Sequence, residues 1–183
     1  MVTHTTEFVL RSGVREAMRQ VERMIVPTDD RDAALAHARA AALELAARFD
    51  VELVLYDRSG ERWTDTPHPK GPLRLLELDS DEHPHLVAQL RECEAAGVDA
   101  VAYLATLPAL TAMIDALQDM EIDCVVLPRD LEHPKLMDRL QLGSHPSQMV
   151  QRVSELQLGD SPVMLVVDGN VVGLVPPLEY PTA

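Results

Sequence analysis

The stretch MIVPTDDRDAALAHARAAALELAARFDVELVLY, residues 24–56, decides the fold. It opens on the apolar run Met24-Ile25-Val26, and Pro27, with no N–H to give to a ladder, is expected to end that strand. Asp30 and Asp32 supply the acidic first turn of a helix, and Asp29 and Asp30 are the expected N-cap residues. Leu35, Ala38, Ala42, Leu45 and Phe49 recur on one helical face, and the alanines between them have high helix propensity. Val51–Tyr56 is the next strand, with a turn expected at Ser59-Gly60. Strand, helix and strand in this order form a unit whose two strands run parallel, because only a crossover of this length joins parallel neighbours.

The same alternation continues downstream. Leu86, Val87, Leu90 and Cys93 mark a helix face that Gly97 closes. Val98–Leu104 is a strand, and Pro108 opens a helix through Leu110, Met113, Ile114 and Leu117. Cys124–Leu127 is a short buried strand halted by Pro128, and a helix starting near Ser144 buries Met149, Val150, Val153 and Leu156. Val163–Val167 is the fifth strand of the series, and Asp168-Gly169-Asn170 turns it into a hairpin with Val171–Val175. Five such strands make a doubly wound parallel sheet in an α/β domain, with helices on both faces. Ligands in such sheets bind beyond the carboxyl ends of the strands, where the strand order reverses. Residues 57–83 are the least regular connection, with a short strand expected at Leu73–Leu78. Upstream, a strand at Glu7–Leu10 and a helix at Val14–Arg23 are expected. The chain thus divides into an N-terminal extension (1–22), one α/β domain (23–175) and a tail (176–183).

Composition bounds the function. The chain has 183 residues, 16 Lys+Arg against 30 Asp+Glu and a net charge of −14. That balance argues against nucleic-acid binding through phosphate neutralisation and against anionic membrane surfaces. There is no apolar run long enough to span a bilayer and no signal-peptide core at the start, so a cytoplasmic location is expected. Cys93 and Cys124 can form neither a disulfide framework nor a four-thiolate zinc site, and both are expected as small buried hydrophobes.

Three pieces in order carry a resemblance: Met-Ile-Val-Pro-Thr-Asp at 24–29, Asp-Cys-Val-Val-Leu at 123–127, and Leu-Gly-Ser at 142–144 followed by Ser-Pro-Val-Met-Leu-Val-Val at 161–167. Together with Ala96-Gly97-Val98 and Leu107-Pro108-Ala109 they resemble the universal stress protein family over roughly residues 23–167. The resemblance implies the strand order 3-2-1-4-5 and a homodimer formed through the last strand. One branch of that family binds ATP through Gly-x-x-Gly, nine residues and Gly-Ser/Thr. Counted back from Gly143, the two leading glycines fall at positions 130 and 133, which here hold Asp130 and His133. Glycines in such a loop let main-chain N–H groups close on phosphate, whereas an aspartate repels the anion. The expected module is therefore a non-enzymatic, dimeric stress or regulatory protein with weak or absent ATP binding. One alternative is an adenine-nucleotide binder with a modified phosphate loop, using ATP and Mg2+, with or without slow hydrolysis. Another is a protein-interaction module working through its extensions, with an unknown protein partner.

The candidate nucleotide pocket comprises Pro27, Thr28, Asp29, Gly143 and Ser144. Thr28 and Asp29 would meet base or ribose, while Gly143 and Ser144 open a helix whose free N–H groups favour an anion. Arg129, Lys135 and Arg139 are candidate phosphate contacts by charge. Each has a plainer role: Asp29 and Ser144 as caps, and the three cations as a solvated loop. His83-Pro84-His85 and the other histidines lack a further ligand at fixed spacing, so no metal site is expected. No nucleophile elbow, His-Glu-x-x-His or Gly-Lys-Ser/Thr loop is present, and no catalytic residue is assigned. Val163–Val175 is expected at a two-fold contact, since an uncovered edge strand invites pairing. The alternative is that Val171–Val175 covers that edge within its own chain.

Overall fold

A computed structural model describes residues 12–29, 31–63, 70–107, 120–128, 163–167 and 170–175. Seven strands form one sheet. They are β1 (Arg23–Thr28), β2 (Glu52–Trp63), β3 (Lys70–Leu73), β4 (Ala100–Leu107), β5 (Cys124–Pro128), β6 (Val163–Val167) and β7 (Asn170–Val175). Their order is β3-β4-β2-β1-β5-β6-β7. The five inner strands are parallel and follow the doubly wound order 3-2-1-4-5, while β3 and β7 add antiparallel edges. The expected hairpin is present, with β7 lying along the outer side of β6.

Helix α1 (Ser12–Met18) precedes the sheet, α2 (Ala33–Phe49) joins β1 to β2, and α3 (Pro84–Ala95) leads into β4. Leu35, Ala38, Ala42 and Leu45 of α2 are buried as their spacing requires, and so are Leu86, Val87, Leu90 and Cys93 of α3. An Arg39–Glu92 ion pair links the two helices. The inner strands carry buried apolar residues on both faces, with Met24, Ile25 and Val26 and then Cys124 through Leu127 all fully inside. This continuous burial is characteristic of parallel sheets. Val14, Met18 and Val21 join the same core cluster, so α1 and the turn after it pack onto the domain. Arg23 anchors the amino end of β1 to Glu52 and to the Met120 carbonyl, and the Asp123 carboxylate accepts from the main-chain N–H groups of Glu22 and Arg23 at 2.9 and 3.0 Å. Gly97 closes α3 with φ of 74°, as a C-terminal glycine should.

Several boundaries differ from expectation. β1 runs through Pro27 to Thr28; its register with β5 reaches only Ile25–Val125, so a missing N–H at 27 forfeits no bond on that side. β2 continues past Ser59-Gly60 to Trp63, because Arg62 and Trp63 pair with Thr106 and Leu107 after a register irregularity. Non-local pairing there outweighs the local turn signal. β4 starts at Ala100, two residues late, and reaches Leu107. In place of a strand at 73–78, β3 ends at Leu73 and a 3-10 turn occupies Leu75–Glu77. The Glu77 carboxylate folds back to accept from the Arg74 N–H at 2.7 Å, which favours the turn. α1 ends at Met18, short of the expected Arg23. The cap of α2 is Asp32 and not Asp29: its carboxylate accepts from the N–H groups of Ala34 and Leu35. Asp30, the strand expected at 7–10 and the helices expected after Pro108 and near Ser144 lie outside the described residues.

Candidate functional site

The carboxyl end of β1 lies beside the middle of β2, with Thr28 in register with Asp57. Registered neighbours in a sheet project to the same face, here toward α3. On α3, His85 and Gln89 are four residues apart and share one helical face. The Thr28 hydroxyl donates to Gln89 Oε1 at 3.1 Å, and His85 Nε2 meets Asp57 Oδ2 at 3.0 Å. Thr28, Asp57 and Gln89 are each at most 4% exposed. Buried polar groups must be paired to be tolerated, and these two contacts pair them while fixing the start of α3 against the strand tips.

Asp29 stands just past β1 and is 3% exposed. Its carboxylate accepts from the Arg31 main chain at 3.1 Å and from Arg31 Nε and Nη2 at 2.8 and 2.7 Å. This is a two-pronged guanidinium–carboxylate pair. The Asp29 carbonyl accepts from the Asp32 N–H at 3.0 Å, closing the turn that starts α2. The second carboxylate oxygen of Asp32, Oδ2, is buried and has no hydrogen-bond partner among the described residues.

The strand tips thus gather Pro27, Thr28 and Asp29 with Asp57, His85 and Gln89. Arg129, Lys135, Arg139, Gly143 and Ser144, together with Asp130 and His133, lie outside the described residues. Asp57, His85 and Gln89 were not singled out as pocket residues from sequence. Gln89 carried a signal, since it interrupts the apolar face formed by Leu86, Leu90 and Cys93. Asp57 follows the strand expected at Val51–Tyr56 as Asp29 follows β1.

Burial pushes the thiol of Cys93 up to about 11 and that of Cys124 up to about 12. Both therefore stay protonated at neutral pH and behave as packing groups. Among the described residues no group of three or more His, Cys, Asp or Glu is arranged to hold a metal ion. No helix there is long and apolar enough to cross a membrane.

No protein-family model matches the chain, and no curated protein matches its sequence. Solved structures do match its fold. A universal stress protein crystallised in complex with cAMP has a TM-score of 0.52 at 17% identity, over 81% of this chain and 98% of that one. A member of the same family from Burkholderia pseudomallei matches at 0.44 and 18%, over 80% and 96%. The UspA protein of Lactobacillus plantarum matches at 0.45 and 17%, over 80% and 98%. The first of these supports the fold: an α/β sheet like that of a universal stress protein.

Proposed function

We propose, from a fold shared with the universal stress proteins, that this chain is a non-enzymatic regulatory module that assembles as a homodimer and binds ATP weakly or not at all. The observation that carries this reading is the engagement of its strand-tip anchors. Asp29 is occupied by Arg31 and Thr28 by Gln89, so a ribose or base must compete with contacts already formed. The sequence adds a second reason, because Asp130 and His133 replace the glycines of a phosphate-closing loop. A side chain there obstructs close approach of the backbone, and the aspartate adds repulsion.

Isothermal titration with ATP and Mg2+ tests the reading. The expected outcome is no saturable heat at micromolar nucleotide, and micromolar affinity overturns it. If such affinity appears, the Lys135→Ala/Arg139→Ala double variant shows whether side-chain charge has taken over from the missing main-chain cradle.

One observation favours a second reading, an adenine-nucleotide binder. The universal stress protein matched at a TM-score of 0.52 is in complex with cAMP, a nucleotide with a single phosphate. Such a ligand asks less of a phosphate loop than a triphosphate does. Protein purified without added nucleotide and then denatured should release an adenine-like absorbance under this reading, and none under the first.

The dimer is proposed at the β6–β7 end of the sheet. The structure allots β7 to the outer side of β6 within the same chain, so a partner would pair with β7. Support comes from the contrast between the sheet's two edges. β3 carries Lys70 and Pro72, which blunt an edge, whereas β7 reads Asn-Val-Val-Gly-Leu-Val without a charge or a proline.

A further inference from the structure

A second concave site lies at the opposite end of α3 from the strand-tip cluster. It is a cavity of about 470 Å3, within the size range of small-molecule pockets. Leu90 and Val98 form a buried apolar floor, and Leu75 and Ala100 are half-buried beside them. Leu76 also lines the cavity and is 97% exposed, the one large hydrophobic among the described residues left so open to water. Three charged side chains complete the lining: Arg74 at the start of the 3-10 turn, Glu94 on the last turn of α3, and Asp99 just before β4.

Among the described residues some surface cations are paired with acids, as in Arg19–Glu16 and Arg39–Glu92, and others, such as Arg48 and Arg91, are not. Arg74, Glu94 and Asp99 line one cavity with both signs present, yet none of them takes part in an ion pair. A lining that combines apolar side chains with a cation and two anions matches a small molecule having the same three features. A carboxylate would meet the guanidinium, an ammonium would meet Glu94 or Asp99, and an apolar body would cover Leu75, Leu76 and Ala100.

We infer that this cavity binds a zwitterionic α-amino acid with a large apolar side chain, at a site separate from the strand-tip cluster. Binding removes apolar surface of Leu76 and of the half-buried Leu75 and Ala100 from water, and the two charged ends fix the orientation. The selectivity follows from the charge pair: a ligand lacking either end leaves one protein charge without a counterpart and loses its orienting contact.

The test is a nuclear magnetic resonance titration of the full, isotope-labelled chain with L-phenylalanine. Phenethylamine, which lacks the carboxylate, 3-phenylpropionate, which lacks the ammonium, and glycine, which lacks the apolar body, serve as controls. Phenylalanine should give saturable shifts at Leu76, Gly97, Val98 and Asp99 with Kd of about 1 mM or tighter. Each control should bind at least about tenfold more weakly, a difference of about 1.4 kcal/mol. Arg74→Gln, an exposed substitution whose folding is checked by circular dichroism, should abolish the preference for phenylalanine over phenethylamine. Absence of saturable shifts overturns the inference, as do equal affinities for phenylalanine and the two single-charge analogues. Shifts confined to the strand-tip cluster overturn it too, and would place the ligand in the other site.

Discussion

At the residue scale, the His85–Asp57 contact shows how a buried carboxylate is kept in a parallel sheet. Asp57 is 2% exposed and sits where β2 leaves its straight register. Removing the imidazole withdraws a hydrogen-bond partner from a group that cannot reach water, which costs more than the contact alone contributes. His85→Ala is therefore expected to lower stability by about 1–2 kcal/mol, read as a lower urea midpoint with an unchanged slope. An unchanged midpoint would mean that the other contacts of Asp57 suffice without it. Asp29 teaches a related lesson. From sequence it stood as both a cap and a ligand contact, yet Asp32 performs the capping and Asp29 holds Arg31. Three acids within four positions compete for the same N–H groups, and local sequence does not rank them.

At the scale of elements, β3 packs tightly against β4. A Cβ added at Gly71 would stand 2.6 Å from a ring carbon of Tyr103 and 2.8 Å from the Ala102 carbonyl oxygen. Tyr103 is buried and the carbonyl belongs to β4, so neither can retreat cheaply. Gly71→Ala should destabilise the protein by about 1–3 kcal/mol through overpacking. Thermal unfolding followed by circular dichroism reads the loss, and a melting temperature equal to the wild type would show that β3 detaches without consequence. Elsewhere the elements were legible wherever one face had to be apolar. α2 and α3 bury the residues their spacing nominates, because a helix in water is stabilised by its buried face more than by propensity. Strand ends were less legible. Pro27 and Ser59-Gly60 look like local stops, yet hydrogen-bond partners distant in sequence set where β1 and β2 end.

At the scale of the whole molecule, the sheet ends in two unlike edges, and the proposed assembly depends on the difference. Light scattering at micromolar concentration should report twice the chain mass. Val172→Pro should convert the protein to monomer, since it removes an N–H from β7 at a position that the register leaves without a β6 partner. A monomeric wild type would instead mean that β7 finds no partner strand, which overturns the proposed assembly. α3 connects the two proposed sites: His85 and Gln89 near its start meet the strand tips, while Leu90 and Glu94 face the cavity beyond its last turn. The acidic balance of the chain belongs to this scale as well, since a net charge of −14 bears on partners and solubility and not on the fold.

Among the described residues, the sequence by itself determined the alternation of strands and helices, their apolar faces, the closing glycine of α3 and the edge hairpin. Each of these is written in periodicity or in the chemistry of single residues over a few positions. Its likeness to a known family also anticipated the order of the five parallel strands. Only the tertiary structure decided which polar groups meet. Thr28 and Gln89 are 61 positions apart, and Asp57 and His85 are 28 apart. Their pairing depends on the register of β1 against β2 and on where α3 comes down over the strand tips. The cavity at the other end of α3 is of the same kind, since its charges and its apolar floor come from a 3-10 turn, a helix end and a strand start. Periodicity states which face of an element avoids water, and it carries no information about which distant side chain will lie against that face.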